Sequence, residues 1–428
     1  MDPIDSLLAL EQFGIKFGLN HIQALCAGLD HPERSFRSVI IAGTNGKGSV
    51  AAMAETALRA SGRRTGRYTS PHLVRLEERF AIDGRPVGTA ALREAAGTVM
   101  TQIAALRASG ALETEPTFFE AATAVAFDLF RRAQVDVAVL EVGLGGRLDA
   151  TNVVTPLAAA ITTIDFDHER YLGTTLAAIA FEKAGVIKPG MTVVVGERKP
   201  EALDVIARAC RERGATLVAA AEGVTAASAL VEGATQLTLR TPAADYGTVR
   251  LGLAGAHQVA NAVTAVRLLE ALARHGLDVP PAAVVAGLRD VRWPGRLDWR
   301  RLDAEGRVLL DAAHNPAGAA ALAAYLGQAC PGGLPIVFGV MRDKDVAGML
   351  AALLPCATHL FLTRPAGRRA MAPADIAALV ATMRPARPVT IVADPVDAVR
   401  AARAVAGDVC AAGSIFLLGE ILAWLDRP

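Results

Sequence analysis

The sequence has few cysteines, few aromatic residues and almost no net charge. Its 428 residues include five cysteines but no CxxC pair, which argues against a disulfide framework or a zinc site. A formal net charge of +1, with 52% hydrophobic and 20% charged residues, argues against a nucleic-acid-binding protein with a basic surface. No apolar run approaches the roughly 18 residues of a membrane span, and the N-terminus is acidic where a signal peptide is basic. We therefore expect a cytoplasmic protein that binds neither nucleic acid nor membrane.

Apolar runs are present, but they are short and alternate with helical stretches. In the first half they are SVIIAG (38–43), VDVAVLEVG (135–143), PLAAAITTID (156–165) and MTVVVGE (191–197). Strands that are apolar on both faces and separated by helices predict an α/β fold with a covered parallel sheet. Residues 213–255 alternate more strictly and are rich in glycine. They predict a small antiparallel appendage, followed by a helix that starts near His257.

A second α/β segment begins after an interruption at residues 290–300. Trp293, Pro294 and Gly295 break the helical pattern there, as expected for a linker. Further apolar runs then extend from RVLLDAAHN to GSIFLLGE, which we interpret as the last strand. The pattern predicts a first domain over 1–292 and a smaller, Rossmann-like domain over 297–428.

The stretch AGTNGKGS, residues 42–49, joins a predicted buried strand to an alanine-rich helix. Glycines allow backbone N–H groups to face phosphate oxygens, the helix N-terminus adds positive charge, and Lys47 can reach the outer phosphates. The spacing departs from the GxxxxGK[ST] P-loop because Gly48 separates Lys47 from Ser49. The alternative, a solvated turn, fits the flanking strand and helix poorly. The loop therefore predicts nucleotide contacts from Thr44, Asn45, Gly46, Lys47, Gly48 and Ser49.

Glu141 ends an otherwise apolar predicted strand, so its carboxylate should emerge at the carboxyl edge of the sheet. A lone glutamate at this position more often forms an ion pair. Here Ser70 and His168 also follow predicted strands, and three donors at one edge favour a magnesium ion. We interpret Asp165 and Asp167 as turn and helix-cap acids.

Nine further strings, in the same order, accompany the glycine loop. Together with it they resemble the Mur ligase superfamily and, within it, the branch of folylpolyglutamate synthases and dihydrofolate synthases. The strings are YTSPHL (68–73), TFFE (117–120), EVGLGGRLDATN (141–152), DHERYLG (167–173), EKAG (182–185), HQVANA (257–262), WPGR (293–296), DAAHNP (311–316) and DKD (343–345).

This resemblance implies a Mur-ligase-like, P-loop central domain that binds ATP and Mg²⁺, followed by a glutamate-ligase domain. It implies that Ser70, Glu141 and His168 hold one magnesium ion against the nucleotide phosphates, and that a second ion binds nearby. It also implies that Lys183, in EKAG, is carbamylated and helps to place the second ion. Without the resemblance, a lysine on a helix is expected to be solvated.

The resemblance further implies a pterin site built from three segments. The sequence departs from the family at FGLNHI, where Asn20 and His21 replace an acid and a base of the common pattern LGLERV. A loop ion pair between Arg147 and Asp149 is the alternative to a substrate role in the third segment. The implied pterin contacts are Gly14, Ile15, Lys16 and Phe17, then Thr117, Phe118, Phe119 and Glu120, then Leu148, Asp149 and Ala150.

In the second half, the resemblance implies nucleotide contacts from Asn261, Arg296 and Asp311, and a catalytic role for His314 beside Lys47 and Lys183. Arg296 follows a Trp-Pro-Gly turn and is expected to reach phosphates when the domains close. Its alternative is an ion pair with Asp298.

These features predict an ATP-dependent ligase. An acceptor carboxylate attacks the γ-phosphoryl group, and the amine of L-glutamate captures the resulting acyl phosphate. The acceptor is dihydropteroate or a folate, and we expect a bifunctional, monomeric enzyme. The alternatives are a monofunctional folylpolyglutamate synthase or another Mur-type amide ligase, although little chain precedes Gly43 to hold a UDP-sugar. A non-catalytic P-loop switch or transport ATPase would leave TFFE, EKAG and DAAHN unexplained.

Overall fold

The structure, a computed structural model, describes residues 2–14, 16–302, 306–383 and 387–427. Its contacts divide the chain into two compact units. Unit 1 comprises Met1–Ala226, Thr238–Val249 and Ala260–Val291, and unit 2 comprises Ala227–Leu237, Arg250–Val259 and Arg292–Pro428. Each unit has its own buried apolar core. The domain limits expected at 292 and 297 stay a prediction.

Helices occur throughout both units, and many begin at a residue that can cap free N–H groups. Thr117, Thr175 and Asn315 each accept a hydrogen bond from the first turn of the helix that follows. Within the described residues the helices are α1 (Pro3–Ala9), α2 (Asn20–Gly28), α3 (Lys47–Ala60), α4 (Thr89–Ala108), α5 (Phe118–Arg132), α6 (Glu169–Leu172), α7 (Leu176–Ala184), α8 (Pro200–Glu212), α9 (Ala256–Leu272), α10 (Pro281–Asp290), α11 (Pro316–Ala329), α12 (Val346–Leu353), α13 (Pro373–Thr382), α14 (Pro395–Val405) and α15 (Ile415–Leu425).

An eight-stranded sheet forms the centre of unit 1. Its order is β4-β3-β2-β5-β1-β6-β7-β8, parallel from β2 to β8, with β3 and β4 antiparallel at one edge. Its central strands are buried on both faces, as their unbroken apolar runs predict. The strands are β1 (Arg37–Ala42), β2 (Thr65–Tyr68), β3 (Phe80–Ile82), β4 (Arg85–Pro86), β5 (Val137–Glu141), β6 (Ala158–Ile161), β7 (Thr192–Val195) and β8 (Thr216–Ala219).

The strands that follow form a separate small sheet, in the order β11-β10-β9. They are β9 (Thr225–Val231), β10 (Ala234–Arg240) and β11 (Asp245–Arg250). The appendage predicted over 213–255 was wrong at its start, because 216–219 pairs in parallel with β7 and extends the large sheet. The error arose because GATLVAA is a short run that begins with a glycine, like the segments after it, so its composition does not show which sheet the strand joins.

Unit 2 contains a six-stranded sheet in the order β12-β13-β17-β14-β15-β16, with β12 antiparallel to the rest. GSIFLLGE was wrongly interpreted as the last strand. Ser414 caps Phe416 N–H, and Ile415–Leu425 is a helix, while Asp408–Ala412 forms the strand. A short apolar run does not distinguish the two by itself. The strands are β12 (Asp298–Arg301), β13 (Arg307–Asp311), β14 (Leu334–Phe338), β15 (Ala357–Leu362), β16 (Val389–Ile391) and β17 (Asp408–Ala412).

The largest buried side chains lie on the strands and on helix α5. Tyr68, Phe80 and Phe127 are fully buried in unit 1, and Phe338 is fully buried in unit 2. Each such side chain contributes roughly 1.5–3 kcal/mol by leaving water. Among the described helices, none combines the length and the apolar composition that a bilayer span requires.

Candidate functional site

Four strands of unit 1 end side by side and direct their following loops to one edge of the sheet. The strands β2, β5, β1 and β6 are neighbours and run parallel. Their loops contain Ser70, Glu141, the glycine loop and His168 respectively. Ligands of open α/β sheets bind at this edge, where the carboxyl ends of the strands meet. The sequence prediction of a shared edge is therefore confirmed by the strand order.

The glycine loop turns directly into helix α3, which begins at Lys47. Gly46 is the N-cap residue and has a φ of 87°, a backbone conformation that glycine adopts without strain. A side chain at Gly46 would also collide with Asn261, since a Cβ there would lie 2.3 Å from Oδ1. Asn261 is thus placed against the loop, while Gly48 and Ser49 are buried in the first turn of α3. The first N–H groups of a helix form an anion-binding site.

The turn after β6 holds the start of this loop in place. Thr44 N–H donates to Thr163 O at 2.6 Å, and Thr44 Oγ1 exchanges hydrogen bonds with the backbone of Asp165 at 3.0 and 3.1 Å. Asn45 O accepts a hydrogen bond from Thr162 Oγ1 at 2.6 Å. Two of the predicted nucleotide contacts, Thr44 and Asn45, are therefore held by a second loop of the same edge.

Two lysines meet at the carbonyl oxygen of Gly43. Lys47 Nζ donates to Gly43 O at 3.0 Å and to Thr44 O at 3.2 Å, and Lys183 Nζ donates to Gly43 O at 2.8 Å. Lys183 is 4% exposed, in contrast to the solvated lysine that a helix position suggests. Burial, reinforced by the neighbouring charge of Lys47, lowers the pKa of Lys183 to about 7. Near neutral pH a large fraction of this amine is therefore uncharged and nucleophilic.

Glu141 and Ser70 come together at the ends of β5 and β2. Glu141 is only 5% exposed, and Ser70 N–H donates to Glu141 Oε2 at 3.3 Å. Carboxylate and hydroxyl oxygens are hard ligands and suit Mg²⁺. Within the described ranges no three His, Cys, Asp or Glu side chains cluster as a metal cage. The donor set therefore fits a magnesium ion that takes its remaining ligands from phosphates and water.

His168 lies on the turn after β6, in a left-handed backbone conformation with φ of 53°. Its ring Nε2 is 3.9 Å from Asp167 Oδ1, and Asp167 Oδ1 also accepts His168 N–H at 2.9 Å. Asp167 thus orients the residue that was predicted as the third metal ligand. This agrees with its interpretation as a turn acid.

Phe119, in the predicted pterin segment 117–120, packs against Gly143, which lies in the loop that leads to the predicted segment 148–150. A Cβ at Gly143 would lie 2.6 Å from Phe119 Cζ, so the loop passes directly over the ring. Phe118 is buried under the guanidinium of Arg79, 4.9 Å from its ring centroid. Thr117 and Glu120 form a capping box at the start of α5. The side chain of each accepts a hydrogen bond from the backbone N–H of the other, and the two side chains also bond to each other.

Asp149 is buried and shapes the loop 143–150, whereas Leu148 is half-buried and Ala150 is buried. Its carboxylate accepts the N–H groups of Gly143 and Leu144, both at 2.9 Å. Burial raises the pKa of Asp149. The alternative ion pair with Arg147 was wrong, because Arg147 instead pairs with Glu182 at 2.9 Å.

The first predicted pterin segment is held by Lys16 and carries an exposed ring. Lys16 Nζ donates to Glu115 O at 2.7 Å, and Phe17 is 53% exposed. The ring of Phe17 lies 6.0 Å from that of Tyr171, which the sequence did not single out. Gly14 has a φ of 63°, and the predicted contact Ile15 lies outside the described residues.

The departure at His21 from the family pattern has a structural counterpart. His21 Nδ1 lies 3.4 Å from Glu120 Oε2, and its Nε2 lies 3.3 Å from Thr114 Oγ1. His21 therefore connects helix α2, which follows the first predicted pterin segment, to Glu120 of the second. Its imidazole is a shorter partner for Glu120 than the basic side chain of the family pattern.

In unit 2, the predicted residues cluster around the end of β13. Asp311 accepts Leu297 N–H and Ala313 N–H, both at 2.9 Å, and His314 Nδ1 lies 2.8 Å from Ala312 O. The half-buried His257 has a pKa lowered by desolvation, which the charge of Asp311 opposes and that of Arg296 reinforces.

Arg296 donates to Gly295 O at 3.0 Å. Asp298 pairs with Arg300, whose Nε lies 3.0 Å from Asp298 Oδ2. The ion pair between Arg296 and Asp298 stays a prediction.

Sequence reasoning missed Glu197 and Lys199, which follow β7. Glu197 is 6% exposed, and its carboxylate accepts the N–H groups of Arg198 and Lys199 at 2.7 Å each. The signal was available, because Glu197 ends the apolar run MTVVVGE as Glu141 ends its own strand. Lys199 gave no comparable signal.

The family models match both halves of the chain. The Mur ligase middle domain matches residues 88–269, and the glutamate ligase domain of the Mur ligases matches residues 295–415. A relative from Halobacterium salinarum, named "Probable bifunctional folylpolyglutamate synthase/dihydropteroate synthase", is 39% identical over 422 residues. The match covers 97% of this chain and 50% of the relative, so the chain spans about half of that protein's length.

Solved structures match over the whole chain. Folylpolyglutamate synthase of Mycobacterium tuberculosis, complexed with ADP and AMPPCP, is 36% identical, covers 100% of both chains and has a TM-score of 0.92. A bifunctional folylpolyglutamate synthase/dihydrofolate synthase with Mn, AMPPNP and L-glutamate bound is 30% identical, with a TM-score of 0.84 and coverage of 100% of this chain and 98% of that one. The chain therefore belongs to the folylpolyglutamate synthase/dihydrofolate synthase family of the Mur ligases.

Proposed function

We propose that this protein is an ATP-dependent ligase that joins L-glutamate to dihydropteroate and to folates. The observation that carries the proposal is the ammonium group of Lys47 at the carbonyl groups of Gly43 and Thr44, in the loop that starts α3. A positive charge and a helix N-terminus at one point suit a polyphosphate. The nucleotides bound to the two similar solved structures support the same occupant.

In the proposed reaction, the acceptor carboxylate attacks the γ-phosphorus and ADP leaves. The amine of L-glutamate then attacks the acyl phosphate, inorganic phosphate leaves and an amide is formed. Lys47 would stabilise negative charge on the transferring group, and the first turn of α3 would bind the other phosphates. Ser70, Glu141 and His168 would hold Mg²⁺, which when bound offsets phosphate charge. No nucleophile on the enzyme is needed.

The acceptor is proposed to bind along Phe119 and the loop 143–150, with Lys16 and Phe17 on the N-terminal segment. Thr117, Glu120 and Asp149 hold these elements in shape through hydrogen bonds with backbone N–H groups. Arg296, Asp311 and His314 stay proposed nucleotide contacts, supported by the family and by their clustering in unit 2. Cytoplasmic location and a monomeric state likewise stay predictions.

The acceptor range can be tested with purified protein and ATP, L-glutamate and either dihydropteroate or a reduced folate. We expect ADP release that depends on glutamate with both acceptors, together with incorporation of labelled glutamate into the pterin product. Product with folate alone would identify the monofunctional alternative. ADP release without an amide product would reject the ligase and favour the nucleotide-switch alternative.

We also propose that Lys183 is carbamylated by dissolved CO₂. The neutral amine attacks the carbon of CO₂, a C–N bond forms, and one proton is released to give an N-carboxylate. Burial of Lys183 and its pKa near 7 support this, because only the unprotonated amine reacts. The neutral fraction rises as pH increases through 7, so the carbamate should increase between about pH 6 and 8.

Carbon NMR of the protein in ¹³C-bicarbonate measures this modification directly. We expect one carbamate signal that is lost in Lys183→Arg. Lys188→Arg is the matched control, since Lys188 is a nearby, half-buried lysine whose pKa is also lowered by burial. A signal that persists in Lys183→Arg, or one that decreases as pH rises, would contradict the assignment.

A further inference from the structure

Asp165 places a carboxylate directly beside the glycine loop. Its Oδ2 lies 3.5 Å from Asn45 Nδ2, and its backbone exchanges hydrogen bonds with Thr44 Oγ1 at 3.0 and 3.1 Å. Thr44 and Asn45 belong to the loop that is proposed to bind the nucleotide phosphates. An uncompensated carboxylate at this position would repel a polyphosphate.

Lys199 compensates that charge. Its Nζ lies 2.7 Å from Asp165 Oδ1 and also donates to Ile164 O at 2.7 Å, so it contacts both the side chain and the backbone of the turn. Lys199 comes from the segment after β7, not from the glycine loop. One ammonium group therefore connects three neighbouring loops through Asp165.

The position of Lys199 is itself fixed by the buried Glu197. The Oε1 atom of Glu197 accepts Arg198 N–H and Lys199 N–H at 2.7 Å each, and its Oε2 atom accepts Ile164 N–H. Glu197 therefore holds the lysine segment and the Asp165 turn together. The pair is half-exposed, with 43% of the Lys199 side chain and 22% of the Asp165 side chain accessible.

We propose that Lys199 is a positioning residue for the nucleotide, which acts by neutralising Asp165 and by holding the turn that orients Thr44 and Asn45. The inference rests on the proposed binding of ATP at the glycine loop. Lys199 does not need to touch the nucleotide in this arrangement. Its effect is exerted on nucleotide affinity, through the charge and the geometry of the neighbouring loop.

Two consequences separate charge compensation from general loss of structure. Lys199→Met leaves Asp165 charged beside the loop, so we expect nucleotide binding to weaken roughly fivefold to tenfold at low salt. Removing both charges, in Asp165→Asn with Lys199→Met, should restore affinity to within about twofold of the original protein. The Lys199→Met defect should also diminish as ionic strength rises.

The experiment is calorimetric titration of the full chain with magnesium-ADP and magnesium-AMPPNP, at low and high salt. Lys199→Arg keeps the charge and should bind as the original protein does. Arg93→Met is the matched control, because Arg93 pairs with Asp2 at 2.9 Å with similar exposure, and it should leave affinity unchanged. Hydrogen exchange of residues 43–49 in nucleotide-free protein should be faster only in Lys199→Met.

Provided that the original protein binds nucleotide, either of two results would overturn the inference. One is unchanged nucleotide affinity in Lys199→Met, and the other is a double variant that binds nucleotide as weakly as Lys199→Met. If the original protein bound neither nucleotide, the proposed function would fail and the inference with it. Restoration by the second substitution is the supporting result. A merely structural defect would be deepened by a second substitution, not reversed by it.

Discussion

The two units both place charged side chains beside the carboxyl end of a strand, but they stabilise those charges differently. In unit 1, Lys47 Nζ donates to the carbonyl oxygens of Gly43 and Thr44 after β1, and Lys183 Nζ donates to Gly43 O; these carbonyl groups are dipoles without net charge. In unit 2, Asp311 ends β13 and both of its carboxylate oxygens accept backbone N–H groups. The first arrangement concentrates positive charge at one point, whereas the second uses an acid to fix a turn.

This difference indicates which residues act on a ligand and which maintain the fold. The neutral carbonyl groups that accept hydrogen bonds from Lys47 do not balance its charge, so a phosphate can still pair with it. A carboxylate with two N–H partners is already satisfied. We therefore expect substitutions in unit 1 to reduce catalysis and the corresponding substitution in unit 2 to reduce stability.

The largest effect is expected for Lys47→Met. The substitution removes the positive charge proposed to stabilise the transferring phosphoryl group, and its side chain keeps nearly the same length. The turnover number should fall about 10²- to 10³-fold, the range for loss of one preorganised electrostatic contact. Glutamate-dependent ADP release under saturating substrates measures it.

The stability of Lys47→Met should fall much less than its activity, because the half-buried Lys47 loses only hydrogen bonds to the carbonyl groups of Gly43 and Thr44. Urea unfolding checks this point. A fall in stability that matched the fall in activity would assign Lys47 to the fold and remove the contrast between the units.

Sequence reasoning succeeded where one pattern had one physical cause. The strands β1, β5, β6 and β7 were predicted because a strand covered on both faces is apolar without interruption. The glycine loop was predicted because it lies between such a strand and a helix. The neighbourhood of Ser70 and Glu141 followed from parallel strands that end at one edge.

The sequence predictions failed where one sequence pattern is compatible with two structures, or where a contact leaves no local pattern. The run that forms β8 is short and follows a glycine, as the strands of the appendage do, and α15 is as apolar as a buried strand. The pairing of Lys199 with Asp165 joins residues 34 positions apart and leaves no local signal. The capping roles of Thr117 and Asp149 could have been predicted from helix-cap chemistry, but the family resemblance directed attention to substrate contacts instead.

A smaller effect, on stability, is expected for Asp311→Ala in unit 2. The substitution leaves Leu297 N–H and Ala313 N–H without their acceptor in a buried turn, and each lost partner costs about 1–3 kcal/mol. Urea unfolding followed by tryptophan fluorescence measures it, since all three tryptophans lie in unit 2. Asp311→Asn keeps one acceptor oxygen and should lose less stability. An unchanged midpoint in Asp311→Ala would contradict the structural role of this carboxylate.

The smallest effect is expected for Arg307→Gln, which tests an exposed charge of unit 2. Arg307 Nη2 lies 2.6 Å from Asp408 Oδ2, but 54% of the arginine side chain is exposed. Exposed pairs contribute roughly 0–1 kcal/mol, and salt screens them further. The guanidinium also lies 4.4 Å from the Trp299 ring centroid, so the tryptophan emission should change even where the unfolding midpoint does not. If the urea unfolding midpoint of Arg307→Gln fell as far as that of Asp311→Ala, exposed and buried charges would stabilise unit 2 equally. The distinction between the two units would then rest on Lys47 and Lys183 alone.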